Sequence, residues 1–113
     1  MIFLSTHTLD SSNGSHAAGI NVRLFALVNN KLIELWSKQT DKGGRLTVEF
    51  ELSEKYQDCD LQLSYDIQDY FPKTSKGVRT KSISLNIQLP DPNGQYHLPI
   101  IISPYGASLW WSN

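Results

Sequence analysis

Three histidines, His7, His16 and His97, together with Arg45, are residues whose types could do acid–base chemistry on a small anion. His7 lies in Ser5-Thr6-His7-Thr8-Leu9-Asp10, and His97 lies in Gln95-Tyr96-His97-Leu98-Pro99. Arg45 follows the tight Gly43-Gly44 pair, where the chain re-enters a strand. Imidazole is the side chain whose ordinary pKa lies closest to neutrality, so it can take a proton from water or give one to a leaving group. A guanidinium beside two such rings can hold an anion through its planar fork of donors. Spacing alone does not bring the three together. A lone histidine on a strand is more often structural or solvated than functional.

Other chemistries find less support. Asp58, Asp60, Asp66 and Asp69 lack the glycine and terminal glutamate of a calcium-binding loop, so they read as a solvated acidic edge. Cys59 is the single cysteine, so no internal disulfide and no multi-thiol metal site can form, and a reducing compartment is expected. No Gly-rich phosphate loop, nucleophile elbow or metalloprotease helix is present. Lys73, Lys76, Arg79 and Lys81 follow Pro72, a cluster that reads as solubilising.

The elements that must position these side chains are strands. Ile20, Val22, Leu24, Ala26 and Val28 fall at every second position. Leu61, Leu63, Tyr65 and Ile67 do the same, as do Ile83, Leu85, Ile87 and Leu89. Such alternation describes strands with one buried and one wet face. Turn signals separate them: Ser11-Ser12-Asn13-Gly14, Asn29-Asn30, Asp41-Lys42-Gly43-Gly44 and Pro90-Asp91-Pro92-Asn93-Gly94. The pattern predicts about eight strands, near 2–9, 20–28, 31–38, 46–51, 61–67, 79–89, 95–102 and 107–111, and hence an all-β, two-sheet sandwich or barrel. The helix candidate is a single turn at Leu52–Gln57. Ile100, Ile101 and Ile102 are consecutive, which suggests a strand buried on both faces. The chain ends in Leu109-Trp110-Trp111-Ser112-Asn113, and two adjacent indoles predict a covered terminus, between subunits.

A chain of 113 residues fits one domain, 1–113, with one core and no need of disulfide staples. Apolar residues make up 40% and charged residues 19%, an ordinary soluble composition. Ten basic against eleven acidic side chains argue against a nucleic-acid binder, which needs a basic face. No stretch approaches the roughly 20 apolar residues that span a bilayer. The first ten residues lack a basic start and a long apolar run, so export is not expected.

The order of residues also resembles a known family. Leu4-Ser5-Thr6-His7-Thr8-Leu9-Asp10, then Gly14, then Ala17-Ala18-Gly19-Ile20-Asn21-Val22-Arg23-Leu24 resembles the opening of the transthyretin-like family, which includes 5-hydroxyisourate hydrolases and the hormone carrier transthyretin. Thr40-Asp41-Lys42-Gly43-Gly44-Arg45 is similar to its Thr…Asp-Gly-Arg turn, with Gly43 where the family has aspartate. Tyr96-His97-Leu98-Pro99-Ile100-Ile101-Ile102-Ser103-Pro104-Tyr105-Gly106 is similar to its His-Tyr-His-Val-Pro-Leu-Leu-Leu-Ser-Pro-Tyr-Gly signature, with Gln95 at the first histidine. The resemblance implies two four-stranded antiparallel sheets packed as a sandwich. It implies a homotetramer, a dimer of dimers, acting on a small molecule in the cytoplasm without cofactor or metal. It carries the catalytic set of the hydrolases onto His7, Arg45 and His97, a set the carrier lacks. The resemblance does not carry His16, which falls where the family usually has proline and so reads as a loop residue. The hydrolases end in Tyr-Arg-Gly-Ser, aligned here with Trp110, Trp111, Ser112 and Asn113, so the substrate-binding candidates are Trp110, Trp111 and Asn113. Where the family has a short helix after Tyr70-Phe71, Pro72 restricts any helix to one starting there.

Three functional expectations follow. The first is ring-opening hydrolysis of 5-hydroxyisourate or a close cyclic ureide. The second is a related enzyme with a flatter, more apolar or aromatic substrate stacked on Trp110 and Trp111. The third is a binding module whose pocket the two indoles plug.

Overall fold

A computed structural model describes residues 1–71 and 79–112. The expected helix start at Pro72, with Lys73 and Lys76, lies outside the described residues, as does Asn113. The strands run β1 (Ile2–Asp10), β2 (Ser15–His16), β3 (Asn21–Val28), β4 (Lys31–Gln39), β5 (Arg45–Phe50), β6 (Asp60–Asp66), β7 (Ser82–Ile87), β8 (Gln95–Ser103) and β9 (Gly106–Leu109). A single 3-10 turn at Glu54–Tyr56 stands where one helical turn was expected.

The alternation read from the sequence is the alternation of burial. On β1, Ile2, Leu4, Thr6, Thr8 and Asp10 point inward, and Phe3, Ser5, His7 and Leu9 point out. Val22, Leu24 and Ala26 of β3, Leu61, Leu63 and Tyr65 of β6, and Leu98, Ile100 and Ile102 of β8 complete the core. Each fully buried Leu or Ile contributes about 1.5–3 kcal/mol of burial free energy, so the core, rather than any single bond, holds the sandwich.

One sheet has the order β4-β3-β6-β7. In the other, β1 is central: β8 and then β9 lie on one side, while β2 and β5 share the opposite side at different ends of β1. Every pairing is antiparallel except β1 with β8, which run parallel. These strands are far apart in the chain, and a long connection allows either direction.

A buried chain of hydroxyls joins the sheets. The Tyr65 hydroxyl donates to Thr6 Oγ1 at 2.7 Å, and Thr6 Oγ1 donates to the Leu98 carbonyl at 2.6 Å. Burial pushes the Tyr65 hydroxyl up to about 12, so it stays protonated and can donate. This link ties β6 of one sheet to β1 and β8 of the other, the two strands that carry His7 and His97.

The structure differs from the sequence reading in several details, first in that the β1-centred sheet has five strands and one parallel pairing where two four-stranded antiparallel sheets were expected. His16 lies on a two-residue strand rather than in a loop. The strand expected over 79–89 is Ser82–Ile87, the stretch that pairs with Leu61 to Asp66 of β6. Ile101 is only half-buried, not buried on both faces as the run of three isoleucines suggested. Among the described residues no helix is long and apolar enough to cross a membrane.

Candidate active site

The register of the β1-centred sheet places the candidate residues in two adjacent rows on its outer face. In one row, Arg45 stands opposite His7, and His7 opposite Pro99. The Trp110 N–H donates to the Pro99 carbonyl at 3.3 Å, which adds Trp110 to that row. In the other row, Thr47 stands opposite Ser5, and Ser5 opposite His97. The Ser112 N–H donates to the His97 carbonyl at 2.8 Å, which adds Ser112. His7 and His97 are thus diagonal neighbours on adjacent strands, with side chains on one face.

Arg45 owes its position to the preceding turn. The Asp41 carboxylate accepts the backbone N–H of Gly43 and of Arg45, each at 2.9 Å. These donors, the Arg45 N–H foremost, hold the Asp41 carboxyl below the usual carboxylate range. Gly44 adopts φ +73, a conformation that favours glycine, and a Cβ there would collide with the Thr8 carbonyl. The Gly44 carbonyl in turn accepts the Thr8 N–H at 2.7 Å. The glycine therefore lets the turn dock on β1 one residue beyond His7.

Each histidine has an orienting partner. Ser5 Oγ lies 2.7 Å from His97 Nδ1 and 3.4 Å from the Tyr96 carbonyl. That hydroxyl can donate to the ring or accept from it, with Tyr96 taking its hydrogen in the second case. His7 Nε2 lies 2.9 Å from His16 Nδ1. Ser5 was not singled out from the sequence, and His16 was read there as a loop residue. Ser5 shares the face of His7 by its spacing of two, a signal that was available. The His16 contact depends on the short strand β2, which places His16 opposite Leu9.

The electrostatics favour a neutral ring at His7. Burial lowers its pKa, and the Arg45 guanidinium lowers it further, with His16 and His97 adding to the effect. The Gly43 carbonyl opposes them in part. A neutral imidazole beside a fixed cation is a general base with an anion-holding neighbour.

A solvent-open hollow of about 470 Å³ lies over the second row, lined by Ser5, Thr47, Gln95, Tyr96, His97 and Ser112 among others. His7 and Arg45 stand in the adjacent row rather than in its lining. Of the three substrate-binding candidates, Trp110 shares the face of His7 and is 45% exposed in the single chain. Trp111 is 43% exposed and packs edge-on against Tyr96, with ring centroids 6.2 Å apart. Asn113 lies outside the described residues. The covered terminus expected from the indoles is therefore not produced by packing among the described residues. Among the described residues no three His, Cys, Asp or Glu side chains gather as a metal site.

The profile of the HIUase/Transthyretin family matches residues 4–111. The chain belongs to that family. As a member of the HIUase/Transthyretin family, it is 30% identical over 112 residues to the 5-hydroxyisourate hydrolase of Halalkalibacterium halodurans, covering 95% of this chain and 94% of the relative. It is 26% identical over 113 residues to the enzyme of the same name in Pseudomonas aeruginosa, covering 95% of this chain and 88% of the relative. Among solved structures, the Klebsiella pneumoniae 5-hydroxyisourate hydrolase superposes with a TM-score of 0.75 at 23% identity, over 98% of this chain and 99% of that one. An (S)-allantoin synthase structure superposes with a TM-score of 0.77 at 22% identity, over 99% of this chain, which spans 44% of that protein. These structural likenesses show the transthyretin-like sandwich expected from the sequence.

Proposed function

We propose that the chain opens the ring of 5-hydroxyisourate, or of a close cyclic ureide, by adding water to a ring carbonyl. The observation that carries this reading is the placement of His7, Arg45 and His97 on one face of three adjacent strands. His7, held neutral, takes a proton from water as the water oxygen bonds to the ring carbonyl carbon. Arg45, beside it, stabilises the oxyanion that develops. His97 gives a proton to the ring nitrogen as the carbon–nitrogen bond breaks. Ser5 follows His97 through both protonation states, because its hydroxyl serves as donor or acceptor. General acid–base help of this kind is worth about 10²–10⁴-fold for each group.

The same reading makes residues 1–113 one domain that assembles as a homotetramer, a dimer of dimers. It works in the cytoplasm, without a cofactor, on a small molecule rather than on nucleic acid or a membrane. The half-exposed Trp110 and Trp111 at the edge strand are surface that such an assembly would cover. A purified protein that sediments as a monomer at working concentration would remove the tetramer.

The deciding experiment follows the decay of freshly prepared 5-hydroxyisourate with the native protein and with folded His97→Ala. The native protein should accelerate ring opening, and His97→Ala should lose nearly all of that acceleration. Equal rates for the two would end this mechanism.

A second reading rests on Trp110. Its place in the row of His7 and Pro99 puts an indole on the site's face, where a flatter, more apolar or aromatic substrate could stack. Trp111 and Asn113 complete that tail. In this case the double change Trp111→Arg with Asn113→Ser raises hydroxyisourate turnover. No gain counts against it. Ligand binding without turnover of any ureide would leave a binding module.

A further inference from the structure

We propose that His16 is a positioning residue of this site: through its ring contact with His7 it fixes the orientation and tautomer of His7 and shares the proton that ring takes up. The inference deepens the hydrolase reading, since it rests on His7 as the base.

The geometry is specific. β2 pairs with the far end of β1, with His16 opposite Leu9 and hence on the face of His7. His16 Nδ1 lies 2.9 Å from His7 Nε2, and the ring centroids are 5.0 Å apart with a tilt of 31°. Two ring nitrogens at that distance form a hydrogen bond only when one carries a hydrogen and the other does not. Both rings can be neutral, or the pair can hold one added proton with the bond intact. With both rings charged the bond is lost, and two cations face each other near Arg45.

His7 is surrounded by Arg45 from β5, His97 from β8, His16 from β2, and Asp41 with the Gly43 carbonyl from the turn before β5. Of the charged groups among these, Asp41 alone is acidic, and its carboxylate is already committed to the Gly43 and Arg45 N–H groups. A proton taken up by His7 therefore has two acceptors within reach, the Gly43 carbonyl and the His16 ring. A neutral His16 accepts the Nε2–H of the His7 imidazolium and spreads its charge over two rings. His16 is exposed on β2, so solvent reaches its ring.

Nitrogen-detected NMR titration of the histidine rings tests this without substrate. In the native protein the His7 ring should titrate in two steps separated by more than about one pH unit, with His16 reporting the same steps. In His16→Ala, His7 should titrate in one step. A single step at one unchanged midpoint in both proteins would overturn the proposal. The kinetic arm compares pH–rate curves for 5-hydroxyisourate. His16→Ala should lower kcat/KM roughly tenfold and displace the acid limb. His16→Gln, which can still hydrogen-bond the ring but does not titrate, should recover rate on the plateau and not the native acid limb. Superimposable curves for native and His16→Ala protein would also overturn it. If no protein turns over 5-hydroxyisourate, the hydrolase reading fails and the titration still decides whether the two rings share a proton.

Discussion

Ser5 Oγ and His97 Nδ1 lie 2.7 Å apart across the parallel β1–β8 pair, although 92 positions separate them in the chain. Parallel register aligns Ser5 with His97 directly, so the hydroxyl meets the ring without either side chain reaching along the strand. The bond holds one nitrogen of the His97 ring, and that residue lines the hollow.

Ser5→Ala removes that anchor without touching the fold's core. Its expected effect is a fall in kcat of about tenfold with KM little changed, because orientation matters most as the proton moves. Loss of one part-buried hydrogen bond should cost only about 1 kcal/mol of stability. Steady-state kinetics beside a thermal melt separates the two effects. Unchanged kcat would show that His97 is oriented by other contacts.

Acid–base behaviour gives a second prediction. His7 is active as the neutral ring, so kcat/KM rises as pH climbs through its pKa. That value is lowered from 6.5 by burial first and by Arg45 second, which places the acid limb below the ordinary histidine range. Arg45→Gln removes the cation, and the limb should move to higher pH while the plateau falls about 10²–10³-fold from loss of the oxyanion partner. A pH–rate profile of both proteins checks the sign. A limb that moves to lower pH, or stays fixed, contradicts the pairing of these residues.

The turn before β5 gives a third. Gly44→Ala forces a side chain into a left-handed conformation and against the Thr8 carbonyl. The expected destabilisation is about 1–3 kcal/mol, with a further loss of activity because Arg45 is displaced from its place opposite His7. Gly19 also has positive φ, but nothing lies near its missing Cβ, so Gly19→Ala should cost less. Chemical denaturation of the two variants compares a collision with simple backbone strain.

Much of the sandwich was legible because its strands obey a period of two and its turns carry Asn, Asp and Gly. Val22, Leu24 and Ala26 are buried as their spacing requires, and so are Leu61, Leu63 and Tyr65. His7, Arg45 and His97 were found by residue type and by family resemblance, not by any local signal that they meet. The parallel β1–β8 register that makes Ser5 and His97 neighbours is a long-range relation that no window of sequence contains. β2 escaped notice because two residues, Ser15 and His16, show no period. Trp110 and Trp111 promised a covered terminus, yet both indoles are about half wet in the single chain.

A double-mutant cycle on His7 and His97 is the most direct measurement of whether they serve one reaction. With His7→Asn, His97→Asn and the double variant, all shown to fold, kcat/KM for 5-hydroxyisourate should fall about 10²–10⁴-fold in each single variant. The double variant should fall little further, because groups that act as a unit lose their combined effect once. Native-like kcat/KM in either single variant, or losses that simply multiply in the double, would contradict a shared site.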